Sequence, residues 1–268
     1  MGSKYLKQTL EQKISNGEKL FIPYIVAGDG GLDQLEARIH LLTAAGASAI
    51  ELGIPFSDPV ADGPVIQAAG SRALQNGTTL KGVLKTLQAF QEEPTIPIVI
   101  MTYLNPIYHY GIEAFARDSA DAGIDGVIIP DLPMEEEHIL TDAFKQAGIA
   151  NIRLAAPNST PDRLQAICQR AEGFLYAVSV MGTTGVAEDH AVEVKQYLQQ
   201  LKQVSPVPVL AGFGVANPTQ AKTLSDCCDG VIVGSKIVEL FHQGEEAAIT
   251  SLIQQSLYSN KTPAHDLS

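Results

Sequence analysis

Eight short runs rich in β-branched residues, helical patterns between them and a length of 268 residues together predict an α/β protein, folded as one closed (β/α)8 TIM barrel. The runs are LFIPYIVAG from residue 20, ASAIELGI from 47, IPIVIMTY from 96, DGVIIPDL from 125, NIRLAAP from 151, FLYAVSV from 174, VPVLAGFG from 207 and DGVIVGS from 229. Segments between them, such as GLDQLEARIHLLTAAG, GIEAFARDSADAG, MEEEHILTDAFKQAG and TPDRLQAICQRAEG, carry apolar residues at three- and four-residue spacing and end in glycine. Each reads as a helix closed by a C-cap. Strands alternating with helices this regularly imply a parallel sheet, and about eight units favour a closed barrel over an open, doubly wound sheet. Barrels of this kind run to about 250 residues, so residues 1–268 are expected to form a single catalytic domain.

Two kinds of segment stand outside the repeat. Residues 3–16 form an amphipathic stretch before the first strand, expected as an extra N-terminal helix covering the bottom of the barrel. Long loops follow strand two (GIPFSDPVADGP, 53–64) and strand six (MGTTGVAEDH, 181–190). Loops after strands lie on the catalytic face of a β/α barrel, so both are expected to flank the active site.

Hydrophobic residues make up 45% of the chain and charged residues 18%, enough to bury a large core. A net charge of −12 repels nucleic acid and anionic membranes, so an anionic substrate has to be held by local donors. The start, MGSKYLKQTLEQK, has no apolar leader core, and the three cysteines include an adjacent pair, Cys227 and Cys228, which suits reduced thiols. Every apolar run is far shorter than the roughly 20 residues that span a bilayer. A cytoplasmic enzyme is the expectation.

Alternation along SAIELGI puts Ile50, Leu52 and Ile54 on the face that meets the helices and Ala49, Glu51 and Gly53 on the face that lines the barrel. A carboxylate there is costly unless it is paired or used. Two readings stay open for Glu51: a catalytic group, or one half of an ion pair, for which Arg153 on strand five is the available cation. Asp62, eleven residues on, is either a second active-site carboxylate or the cap of the next helix.

GFG at 212–214 leads from strand seven into Asn217-Pro218, an N-cap followed by a proline suited to the first helical position, and VGSK at 233–236 ends strand eight. Bare glycine amides and helix N-termini after strands seven and eight make the phosphate site that recurs in these barrels. Other chemistries find little support. No lysine lies in strands one to six for a Schiff base, and Lys236 is expected to open the last helix. The six histidines are scattered without ligand spacing, and no metal site is expected. The GxSxG, GxGxxG and Walker patterns are absent.

At ELGIPFSDPVADGP (51–64) the sequence closely resembles the tryptophan synthase alpha chain family. The likeness continues through FIPYIVAGD, MTYLNP (101–106), PDLP around Asp131, GTTG (182–185), GFGV (212–215) and VGS (233–235). The resemblance implies retro-aldol cleavage of indole-3-glycerol phosphate to indole and glyceraldehyde 3-phosphate, with no cofactor in this chain. It implies Glu51 as general acid and base and Asp62 as acceptor of the indole N–H. It assigns the phosphate to Gly185, Gly214, Gly234 and Ser235, the indole pocket to Tyr24, Ile128, Leu154, Tyr176 and Phe213, and the ordering of Asp62 to Thr184. It also implies a tryptophan synthase beta chain as partner in an alpha-beta-beta-alpha assembly, carrying pyridoxal phosphate itself and docking on the loop with Pro55, Asp58 and Pro59. Val180 and Met181 stand where many relatives carry arginine, and Tyr24 stands where phenylalanine is common. A stand-alone indole-releasing lyase and, further off, a phosphosugar isomerase barrel are the rival readings.

Overall fold

The structure is a computed structural model that describes residues 2–179, 188–212 and 214–258. Its strands are β1 (Leu20–Val26), β2 (Ile50–Gly53), β3 (Ile98–Met101), β4 (Ile124–Ile128), β5 (Ala150–Ala155), β6 (Leu175–Val178), β7 (Val209–Gly212) and β8 (Gly230–Val233). Each pairs in parallel with its sequence neighbours, and β1 pairs with β8 to close the barrel. Each strand coincides with one of the eight runs read from the sequence, β4 and β5 beginning one residue ahead of theirs. The helices are α1 (Ser3–Ser15), α2 (Leu35–Ala45), α3 (Pro64–Gln75), α4 (Leu80–Gln88), α5 (Leu104–Tyr110), α6 (Ile112–Asp121), α7 (His138–Ala147), α8 (Pro161–Gln169), α9 (Glu188–Val204), α10 (Pro218–Ser225), α11 (Ser235–Gln243) and α12 (Glu246–Tyr258).

Period-two alternation sorts the strand side chains into two cores. Ile50, Leu52 and Ile54 join the outer core between strands and helices. Ala49, Tyr24, Val99, Ile128, Tyr176 and Leu210 join an inner core within the barrel. Helix α1 closes the bottom of that inner core. Leu6 and Leu10, one turn apart on its apolar side, are both fully buried and pack in the inner core with Ile152 and Phe174. Asp125 at the start of β4 anchors the same corner by accepting hydrogen bonds from Gly2 N (2.5 Å) and Ile98 N (3.0 Å). Leu10→Ala should therefore lower the unfolding free energy by about 2–5 kcal/mol in denaturant titrations, since it leaves a cavity under the barrel floor. A loss below about 1 kcal/mol would show that α1 is not part of the core.

Three expectations need correction. Helix α8 stops at Gln169, capped by Arg170, four residues before the glycine read as its end. Gly173 serves a close approach instead: a Cβ there would lie 2.6 Å from Leu6 Cδ2, so only glycine lets α1 pack this near. Lys236 opens α11, not the last helix, and pairs with Glu239 at 3.0 Å, while α12 follows behind a glycine turn. Helix α9 begins at Glu188, inside the segment read as the strand-six loop. The predicted cap of α10 is present: Asn217 Oδ1 accepts from Gln220 N at 3.0 Å, with Pro218 in the first turn. No described helix is long and apolar enough to cross a membrane.

Candidate active site

Glu51 enters the barrel from β2, in register with Tyr24 of β1 and Val99 of β3, and only 1% of it is exposed. The ion-pair reading of Glu51 fails. Arg153 faces away from the barrel interior, where its guanidinium holds Glu137 Oε2 at 3.1 and 2.9 Å. Among the described residues Glu51 Oε2 has no hydrogen-bond partner. Burial, reinforced by the negative charge of Asp62, pushes the Glu51 carboxyl up to about 8. At neutral pH it carries its proton, as a group must that delivers one.

Asp62 lies at the end of the loop after β2 and does not cap the helix that follows, whose N-cap is Gly63 without a side-chain bond. Its carboxylate turns instead to Tyr103, whose hydroxyl donates to it. The same hydroxyl accepts from Ala61 N at 3.0 Å. One O–H and two lone pairs allow both bonds at once. Burial raises the Asp62 pKa and the Tyr103 bond opposes that rise. The two carboxylates thus differ: Glu51 has no bond on one oxygen, whereas Asp62 has a donor favouring its charged form.

Tyr103 escaped the sequence reading. It follows β3 in MTYLNP, a motif noted for resemblance, but nothing in the local pattern shows that its hydroxyl reaches a loop some forty residues earlier. Its ring also meets that of Phe56 at 5.2 Å and 31°.

The structure gathers most of the predicted pocket residues. Tyr24 (β1), Ile128 (β4) and Tyr176 (β6) belong to the inner core, with Leu154 (β5) packed against it. Tyr24 and Tyr176 press on Gly53 and Gly212, neither of which has room for a Cβ. Both tyrosines feel the charges of Glu51 and Asp62, which add to burial in raising their pKa values. The Tyr24 ring also lies beside Gly234, where a Cβ would be 3.5 Å from its Cδ1, so one aromatic side chain reaches from the carboxylates to the end of β8. Gly234 and Ser235 open α11, and Gly214, at φ +80°, precedes α10. The first amides of α11 lack intrahelical acceptors, as an anion site requires, whereas α10 opens on Pro218, which has no N–H, and the Gln220 N–H is taken by Asn217. Phe213, Thr184, Gly185, Val180 and Met181 lie outside the described residues. In the strand-two loop Pro55 is buried and Pro59 half-buried, while Asp58 is exposed and Val60 is 83% exposed.

Fold and site together define a class: a β/α-barrel enzyme with an unequal carboxylate pair at the mouth of its barrel, Glu51 buried and Asp62 half-buried. Residues 10–265 match the family described as tryptophan synthase alpha chain. The chain is 56% identical over 257 residues to the tryptophan synthase alpha chain of Oceanobacillus iheyensis, covering 96% of this chain and 98% of that one. It is 46% identical to that of Bacillus cereus over 95% and 97% of the two chains. Among solved structures, tryptophan synthase subunit alpha from Legionella pneumophila superposes with a TM-score of 0.85 at 35% identity, covering 96% and 97%. Tryptophan synthase from M. tuberculosis in a ligand-free form gives 0.84 at 33% identity, covering 94% and 96%. The chain belongs to the tryptophan synthase alpha chain family.

Proposed function

We infer that this chain cleaves indole-3-glycerol phosphate to indole and glyceraldehyde 3-phosphate as the alpha subunit of tryptophan synthase. The observation that carries the assignment is the buried Glu51, its Oε2 without a hydrogen-bond partner among the described residues, set beside Asp62 at the mouth of the barrel. Glu51 delivers its proton to indole C3, and Asp62 accepts the ring N–H as positive charge builds on the nitrogen. The Glu51 carboxylate so formed takes the proton of the hydroxyl on the carbon bonded to C3. That C–C bond breaks, its electron pair returns to the ring, and an aldehyde is left on the glycerol fragment. Glu51 ends protonated, ready for another turnover.

Gly185, Gly214, Gly234 and Ser235 hold the phosphate in this reading. Tyr24, Ile128, Leu154, Tyr176 and Phe213 enclose the indole, and Thr184 helps to order Asp62. The chain works in the cytoplasm as one catalytic domain and needs no cofactor of its own. Pyridoxal phosphate belongs to a beta chain that docks on the loop bearing Pro55, Asp58 and Pro59 in an alpha-beta-beta-alpha assembly. Exposure of Val60 and Asp58, next to buried Pro55, suits a loop that offers its tip to a partner and anchors its base.

Assay of indole released from indole-3-glycerol phosphate, with and without a tryptophan synthase beta chain, tests this reading. Weak release alone and strong stimulation by the partner are expected, with Asp58→Ala losing stimulation more than basal turnover. No indole from the assembled enzyme would overturn the assignment, and full activity indifferent to saturating beta chain would favour a stand-alone lyase.

A further inference from the structure

The loop after β2 carries both the surface offered to a partner and, at its far end, Asp62. Its links to the barrel are few. Among the described residues, the hydrogen bonds of residues 55–62 stay within the loop (Ser57 to Asp58, Val60 N to Asp58 O, Asp62 N to Pro59 O), run to Gln67 of α3, or end on Tyr103. Tyr103 itself is fixed. It is 2% exposed and occupies the N-cap position of α5, and the next residue, Leu104, donates its N–H to Asp131 Oδ1 in the turn after β4 (2.9 Å). From this fixed point its ring meets Phe56 near the start of the loop, and its hydroxyl holds Ala61 N and the Asp62 carboxylate at the end.

We propose that Tyr103 is a positioning residue for the cleavage reaction, tying the loop to the barrel so that a displacement of the loop is passed to the carboxylate that meets the indole N–H. The proposal rests on the lyase reading above. If packing alone were the role, phenylalanine would serve as well, since the ring contact with Phe56 needs no hydroxyl. The hydroxyl makes both of its bonds to consecutive residues of the loop, so moving residues 56–60 changes where Asp62 can point. Asp62 is faced by Tyr24 from β1, Glu51 from β2 and Tyr176 from β6 besides Tyr103, and Asp131 faces Tyr103 from the turn after β4. The hydrogen bond from Tyr103 is what holds the Asp62 pKa down against the rise that burial causes. Without it the ionised form, the one that accepts the indole N–H, loses support and its pKa rises.

The test uses the full chain assembled with a beta chain, comparing wild type with Tyr103→Phe and Phe56→Leu by indole release from indole-3-glycerol phosphate across pH. For Tyr103→Phe the KM should stay within about twofold while kcat falls about tenfold, the usual effect of losing one hydrogen bond to a charged group. The acid limb of its kcat profile should move to higher pH, and its stimulation by the beta chain should shrink. Phe56→Leu, which keeps the hydroxyl, should shrink the stimulation with the acid limb in place. A wild-type kcat in Tyr103→Phe, or a loss of kcat with the acid limb unmoved, would overturn the proposal, as would full stimulation of Phe56→Leu. Absence of indole from the wild-type assembly would instead bring down the lyase reading.

Discussion

Glu51→Gln is expected to lower kcat for indole release by on the order of 10²- to 10⁴-fold, the range that general acid–base groups contribute. The amide fills the same buried place but can neither give a proton to C3 nor take one from the hydroxyl. Substrate binding should survive, because the phosphate site proposed after β7 and β8 does not include Glu51. The same variant should be more stable than wild type at neutral pH, and the sign follows from the raised pKa. Unfolded, the carboxyl titrates near its ordinary value of 4.5; folded, it holds its proton to about 8. Between these values the native state binds more protons than the unfolded state, so wild-type stability falls as pH rises through that window. The stability gained by Glu51→Gln should therefore grow from about pH 4.5 to about pH 8 and level off at a few kcal/mol. Chemical denaturation at several pH values measures it. Substantial turnover by the variant, or a stability difference independent of pH, would remove Glu51 from the role given to it.

Asp62→Asn should cost about 10²-fold in kcat, comparable to removing one preorganised group at a site of developing charge. Tyr103 makes the replacement worse than a simple loss of charge. Its O–H already points at this side chain, so it draws the amide oxygen to itself and leaves the NH2 directed at the indole N–H, donor against donor. Single-turnover cleavage separates this from weak binding. A rise in KM with kcat unchanged would make Asp62 a group that only orients the ring.

The sequence by itself determined the barrel, and the reason is periodic. β-branched runs alternating with three- and four-residue apolar spacing fix the order of strands and helices, and alternation within β2 sends Glu51 inward and Leu52 outward whatever surrounds them. It also marked the Asn217-Pro218 helix start, since capping is a matter of neighbouring residues. Contacts between distant segments were not legible. Arg153 was left as a candidate partner for Glu51 until the structure turned it outward to Glu137, because strand alternation gives a side chain's face but not its neighbour on the next element. Asp62 read equally well as a cap, and its true partner, Tyr103, stands 41 residues away in sequence. Gly173 looked like a helix end and proved to be the clearance for Leu6. The chain's local chemistry selected the frame and the inward carboxylate. Closure of the barrel, by bringing the loop after β2 against the residue that follows β3, decided that the two carboxylates would differ and which hydroxyl would hold one of them.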